Sequence, residues 1–264
     1  MITHYAGLQL QTVSLPSVRH FYHEQMRFPI AYETDNRIAF QPTPHVTLTF
    51  VEAYEPVTPV HIAFEVPMSR FAEAAAELRK TQAVIQKWPD GKEIDVFETG
   101  ENIYFRDCDG NLLELIAHRY LKEDVLAPTG PFHILYLREV GFPVDSVPAF
   151  REWLRQLLGM KLDKVSDEFT FVIGGTAHAV VVSKRRKWIP VSMLALPPKM
   201  EVTLGVSSYA FLAEVKSLLH MQDNCSFSET GTGLRLNKDG YTLHLTAQTA
   251  FDPELPALLN LPFS

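Results

Sequence analysis

The sequence predicts an α+β fold made of four βαβββ units, and three observations carry that prediction. Alternating strand patterns recur beside one amphipathic helix four times along the 264 residues. An Asp-Gly pair stands between alternating runs at 109–110 and again at 239–240, and that dipeptide is the strongest short hairpin signal. A hydrophobic content of 46% with 21% charged residues describes a globular protein, and the length suits two domains with a core each.

The first unit spans about 5–53. GLQLQ at 7–11 alternates as a strand, residues 15–25 read as a helix ending before Phe28-Pro29, and VTLTF at 46–50 alternates again. The second unit spans about 59–118. It opens with the strand HIAFEV at 61–66, continues through an Ala-rich helix at 70–80 with Ser69 as its expected N-cap, and closes with a hairpin over 104–116. Together they form an expected first module, 1–120, followed by a linker at 121–131 punctuated by PTGP. The second module, 132–264, holds units near 133–183 and 200–248. The third unit has strands at 139–144 and 179–182 around a helix at 148–158 closed by Gly159; the fourth has strands at 202–206 and 241–246 and a helix at 209–220.

A formal charge of −7 argues against nucleic acid and anionic membrane as partners, since both need a basic face. The one basic run, KRRKW at 184–188, reads as a solvated loop. No stretch approaches the length of a membrane span, and no leader pattern precedes the first strand. Cys108 and Cys225 lie in different halves without CxxC spacing, so no disulfide framework is expected and a reducing cytoplasm is the expected location.

The most informative stretch is IYFRDCDGNLLE at 103–114. A strand bearing Tyr104 enters an Asp-Gly turn, and the return strand sets Glu114 among apolar neighbours. The second Asp-Gly hairpin returns with His244 instead. These residues resemble the extradiol signature of Tyr, two residues, Asp, Pro, any residue, Gly and then a ligand Glu. Tyr104, Asp107, Gly110 and Glu114 stand in register, with Cys108 at the Pro position and no histidine near 95–97. HFY at 20–22 and LLGM at 157–160 resemble helix ends of the same group. The whole chain thus resembles the vicinal oxygen chelate superfamily of glyoxalase I, bleomycin-resistance proteins and extradiol dioxygenases.

That resemblance implies paired units forming two cupped, mostly antiparallel sheets with helices on the outer faces. It places metal ligands on the first and last strand of each unit, at positions that hold Gly7, Thr49, His61 and Glu114 in module one and Glu139, Val180, Glu201 and His244 in module two. It further implies a divalent metal (Fe, Mn, Zn or Ni), a small-molecule ligand and homo-oligomeric association.

Strand parity agrees with this mapping. His61, Ala63 and Glu65 oppose Ile62, Phe64 and Val66; Leu112, Glu114, Ile116 and His118 oppose Leu113, Leu115 and Ala117. Glu201 and His244 likewise lie opposite their apolar stripes, and His178 shares the cavity parity of that half. Gln9, Gln11, Thr47 and Thr49 would line the module-one cavity as neutral polar groups. His118 stands ~13 Å from Glu114 along its strand, too far for one ion.

Three functional readings stay open, one of them a degenerate scaffold used for subunit contacts. In the first, the chain is a metal-dependent dioxygenase or lyase acting on a catechol or keto adduct, with His61 and Glu114 as ligands and Tyr104 as the catalytic proton donor, and with Glu139, Glu201 and His244 as a second ligand set. The second is a metal-free binding or resistance protein, suggested by Gly7 and Thr49 at ligand positions.

Overall fold

The computed structural model describes residues 1–221, 226–247 and 251–262; Cys225 and the expected end of the fourth unit at Gln248 lie outside them. Each of the four units appears. The first holds β1 (Ile2–Thr12), α1 (Leu15–Arg19) with a π-helical continuation at His20–Gln25, β2 (Ile30–Thr34), β3 (Arg37–Thr43) and β4 (Val46–Glu52). The second holds β5 (His61–Glu65), α2 (Phe71–Leu78), β6 (Val84–Ile85), β7 (Ile94–Phe97), β8 (Gly100–Arg106) and β9 (Leu112–His118), one strand more than the common plan. The third holds β10 (Tyr136–Val144), α3 (Val147–Leu158), β11 (Lys161–Asp163), β12 (Phe169–Gly174) and β13 (Ala177–Ser183). The fourth holds β14 (Met200–Val206), α4 (Tyr209–Leu219), β15 (Ser226–Thr230), β16 (Gly233–Lys238) and β17 (Tyr241–Ala247), and a short α5 (Leu255–Leu258) follows.

Local chemistry explains the helix ends. Ser14, Ser146 and Ser208 each accept a backbone N–H from the first turn of α1, α3 and α4. Gly159 stops α3 in the left-handed region at φ 64°. Ser69 does not cap α2 as expected. Its N–H and hydroxyl both turn to the Glu123 carboxylate, and Arg70 takes the cap position without a side-chain hydrogen bond. The two Asp-Gly turns also differ. Asp239 and Gly240 both have positive φ, at 51° and 85°, as a tight hairpin requires. Between Arg106 and Leu112 the loop is longer, and the Asp107 carboxylate holds it by accepting the Asp109 and Asn111 amides at 3.0 and 2.8 Å.

The strands form two mixed, mostly antiparallel sheets. One runs β15-β16-β17-β14-β1-β4-β3-β2; the other runs β11-β12-β13-β10-β5-β9-β8-β6, with β7 also on β8. The units therefore do not pair in chain order. Units two and three share a central sheet through antiparallel β5 and β10, while units one and four share a terminal sheet through β1 and β14. The cause lies in the chain path. After the linker, Leu135 donates to the Glu65 carbonyl at 2.9 Å, so unit three docks on β5 at once. The free edge of β1 is left for the fourth unit, which satisfies its backbone groups.

Each sheet has a polar cup on one face and an apolar face covered by helices. Ile62, Phe64, Leu113, Leu115 and Ala117 from the central sheet join Leu8, Leu48, Phe50 and Val202 from the terminal one in a single core. Ring contacts cross between the sheets, at 5.9 Å for Phe28 and Phe64 and 5.1 Å for Phe142 and Tyr241. A polar pin crosses too, where the Tyr22 hydroxyl donates to Asp107 Oδ2 at 2.7 Å.

Burial pushes the Asp107 carboxyl up to about 6, against the pull of the Tyr22 and Asn111 hydrogen bonds. Its protonated form is favoured in the fold, so the linked stability is full below the ordinary aspartate value near ~4 and fades as pH rises. Passage through about 6 completes that loss. Tyr22→Phe removes a stabiliser of the anion, and carboxyl NMR should show the Asp107 midpoint moving higher still. Urea unfolding at pH 7 should show a loss of about 1–2 kcal/mol.

Candidate metal centre

One row of the central sheet positions the site. Across β8, β9, β5, β10 and β13 the paired residues are Tyr104, Glu114, Ala63, Glu139 and His178. Ala63 separates the two glutamates, and its methyl group is short enough for both carboxylates to lean over it. His61 lies two residues earlier on β5 and so on the same face. A bulge completes the geometry: Leu137 pairs with Phe64 but Glu139 with Ala63, leaving Arg138 as the extra residue. Arg138 and Glu139 consequently both line the cup.

The three side chains meet. His61 Nε2 stands 3.5 Å from Glu114 Oε2 and 3.4 Å from Glu139 Oε2. One potential ligand atom from each lies within 4.8 Å of the others, and no other such trio occurs among the described residues. All are buried, at 4%, 1% and 6% exposure for His61, Glu114 and Glu139. His61 Nδ1–H donates to the Leu112 carbonyl at 3.2 Å, which turns Nε2 toward both carboxylates.

The two acids are not equivalent. Burial and then the Glu139 charge raise Glu114 well above the ordinary glutamate range, against the pull of Asn102, whose amide donates to Oε1 at 2.7 Å. Burial also pushes Glu139 upward, but the His61 hydrogen bond and Arg138 hold it below the ordinary value. Arg138 Nε lies 3.4 Å from Glu139 Oε1, while its other nitrogens donate to Glu65 and the Tyr120 hydroxyl, both at 2.9 Å. Glu65 also takes the His118 amide and ring Nδ1, each at 3.0 Å. One guanidinium is thus divided among several partners, and its pull on Glu114 is the smallest of the influences on that carboxyl.

A divalent cation fits this donor set. Ligand atoms bound at ~2.1 Å to one ion sit roughly 3.0–3.5 Å apart along tetrahedral or octahedral edges. The His61 contacts have that spacing. The position expected to bear a fourth ligand holds Val180, so the protein offers three ligands and an open side. That side faces a cavity of about 720 Å³. Tyr104 stands on its wall, its ring 6.2 Å from that of His61 and its hydroxyl accepting from Asn102 at 3.3 Å. Burial, followed by the Glu114 and Glu139 charges, raises the Tyr104 phenol well above its usual range, so it stays protonated. His178 is pushed well below its usual value by burial and then by Arg138, and stays neutral.

Glu139 had been expected to act with Glu201 and His244. The structure separates them because β10 pairs with β5 and β14 pairs with β1. Glu201 and His244 meet at 2.9 Å in the terminal cup, with Arg235 3.4 Å from Glu201. There the corresponding row reads Thr49, Gln9, Glu201, and Gly7 occupies the His61 position. Gln9, Thr47 and Thr49 line that cavity of about 410 Å³, as expected, while Gln11 does not. His4 also reaches the cup face, because a bulge at Ala6 shifts its parity, and its ring stacks on Phe251 at 3.8 Å.

Sequence reasoning missed Asn102 and Trp188. Asn102 shares strand parity with Tyr104, a signal that could have found it. Trp188 enters from the loop after β13 to within 5.2 Å of the His61 ring. It fits because residue 141 is glycine: a Cβ there would meet the indole at 2.7 Å. The basic run read as a solvated loop therefore borders the cavity, with Arg186, Lys187 and Trp188 in its lining.

Glu114→Gln keeps the shape and the Asn102 acceptor but removes the buried charge. Because the Glu114 value is raised, its linked stability is present below the ordinary glutamate range and lost as pH rises. In metal-stripped protein at pH 7 the variant should gain on the order of 1 kcal/mol in thermal unfolding. Added Mn(II) should stabilise the native protein far more than the variant.

No family model and no curated protein matches the sequence. Solved structures do match in three dimensions. A Bacillus subtilis protein described as a candidate dioxygenase superposes with a TM-score of 0.68 at 10% identity, covering 100% of this chain and 91% of that one. Glyoxalase I from Zea mays gives 0.60 at 17% identity, covering 96% and 95%. A point variant of the maize enzyme gives 0.63 at 13% identity, covering 92% and 93%. The chain has the two-sheet α+β fold of maize glyoxalase I and of the Bacillus subtilis protein, matched over both halves.

Proposed function

We propose that the central cup holds a divalent metal on His61, Glu114 and Glu139 and acts on a small substrate bearing adjacent oxygens, as a dioxygenase or a lyase. The convergence of these three buried groups over Ala63 carries the reading. The fold of maize glyoxalase I and the Bacillus subtilis candidate dioxygenase supports it. One nitrogen and two carboxylates favour iron or manganese, with nickel or zinc also compatible. Such an ion would serve as a Lewis acid that polarises the chelating oxygens.

The protein's own groups divide the remaining work. Glu139, kept anionic by His61 and Arg138, holds charge in place. Glu114, the more basic carboxylate, can accept a proton from a bound hydroxyl or return one. Tyr104, protonated and backed by Asn102, donates a hydrogen bond to oxygen where negative charge develops. Trp88 and Trp188 keep bulk water from the reacting face.

The terminal cup supports a different reading for that half. Gly7 and Thr49 remove two ligand positions, and a threonine-rich cavity suits a neutral polar ligand without metal.

Reconstituted full-length protein should hold about one Fe(II) or Mn(II) per chain by elemental analysis. His61→Ala or Glu139→Ala should lower occupancy by roughly tenfold or more, and His244→Ala should leave it unchanged. Native protein far below one metal per chain, both as purified and after reconstitution, would end this reading.

A further inference from the structure

The basic loop at the cavity mouth has no role in the metal reading, yet it is built into the same pocket. Lys164, Arg186 and Lys187 all line the cavity. None of the three forms an ion pair among the described residues, whereas neighbouring Lys184 pairs with Asp145 at 2.6 Å. In a chain of net charge −7, three unpaired cations at one opening are an uncommon concentration of positive charge.

Two aromatic walls connect that rim to the floor. On one side the Arg186 guanidinium lies 4.9 Å over the Phe169 ring, Phe169 meets Phe171 at 4.9 Å, and Phe171 reaches His178 at 6.3 Å. Lys164 lies 5.5 Å over the same Phe171 ring. His178 is the direct strand partner of Glu139. On the other side, ring centroids step from Trp88 to Tyr104 at 6.3 Å, to His61 at 6.2 Å and to Trp188 at 5.2 Å. The indole N–H groups of Trp88 and Trp188 are buried donors without a partner, and Trp188 is only 7% exposed.

We infer that the central cavity selects an aromatic acid, a planar ring with chelating oxygens at the floor and a carboxylate held at the rim by Lys164, Arg186 and Lys187. The flat walls suit a ring. The charge count favours a monoanion. Besides the metal group and Arg138, which is engaged by Glu65 and Glu139, Asp95 and Asp163 line the cavity, so three rim cations face two acids and retain one net positive charge. A carboxylate matches that surplus better than a phosphate dianion. The orientation of the ring rests on the proposed metal site; the anion preference does not.

Isothermal titration and tryptophan fluorescence on the full chain, with Mn(II) and after metal stripping, test this with 3,4-dihydroxybenzoate and its methyl ester. The acid should bind about tenfold tighter than the ester at low salt, and the gap should narrow as salt rises. The double variant Arg186→Gln, Lys187→Gln should bring the acid to the level of the ester and leave the ester within about twofold of its native affinity. Equal affinity for the two probes in native protein overturns the inference. So does equal weakening of both in the variant, or failure of folded native protein to bind either probe in either metal state. Preference for the acid that survives metal stripping unchanged supports the anion site and counts against the metal reading. Metal-dependent binding without charge preference does the reverse.

Discussion

Two carboxylates and an imidazole share one buried volume above Ala63, and the rest of the central cup is arranged around that electrostatic constraint. Both acids are almost wholly buried, so each must be answered locally. Glu139 is answered by His61 and by Arg138, which the bulge on β10 turns into the cup beside it. Glu114 receives only neutral donors, chiefly Asn102. Arg138 cannot serve both, because Glu65 and Tyr120 hold two of its nitrogens. The asymmetry of the acids therefore originates one layer away, in the Glu65, His118 and Arg138 network.

The terminal cup shows what the same backbone does without this constraint. Its rows correspond strand for strand, yet Thr49 and Gln9 stand where the central cup has Glu114 and Ala63. Glu201 and His244 satisfy each other, half exposed, with Arg235 alongside. No buried charge is left unanswered there, and no third ligand arrives. One sheet is thus a polar surface and the other a concentrated site. The two remain bound to each other through a common core and through the Tyr22 hydroxyl on Asp107.

Much of this was legible in local pattern. Period-two alternation placed His61 and Glu114 on one face, and serine and glycine punctuation marked most helix ends. In the extradiol-like run Glu114 reaches the cup, while Asp107 holds the turn and the pin to Tyr22. What escaped was non-local. Which unit pairs with which depends on where β10 docks after the linker, and no residue near Glu139 announces that. The Arg138 bulge inverts strand parity by one residue, which alternation alone cannot show. Trp188 reaches the site because Gly141 lacks a side chain, a complementarity between segments 47 positions apart in the numbering. Ser69 was misjudged for the same reason: Glu123, far along the chain, is the better acceptor.

Stability alone gives little reason to keep this arrangement. Apolar residues of similar volume at a buried ionic site are often neutral or stabilising, and the neighbouring Leu112, Ile116 and Val180 show that the sheet tolerates them. Glu114 breaks the local rule that buried charge is paired, since its nearest donor, Asn102, is neutral. Departures of that kind concentrate at functional sites. Glu139 is held below the ordinary glutamate value by the His61 hydrogen bond and Arg138. Glu114 is the group whose charge depends on what enters, and it stands opposite Tyr104 and one residue row from His61. A cation, a proton or a substrate hydroxyl would each resolve its charge differently, which makes this carboxylate the point where occupancy of the cavity becomes chemistry.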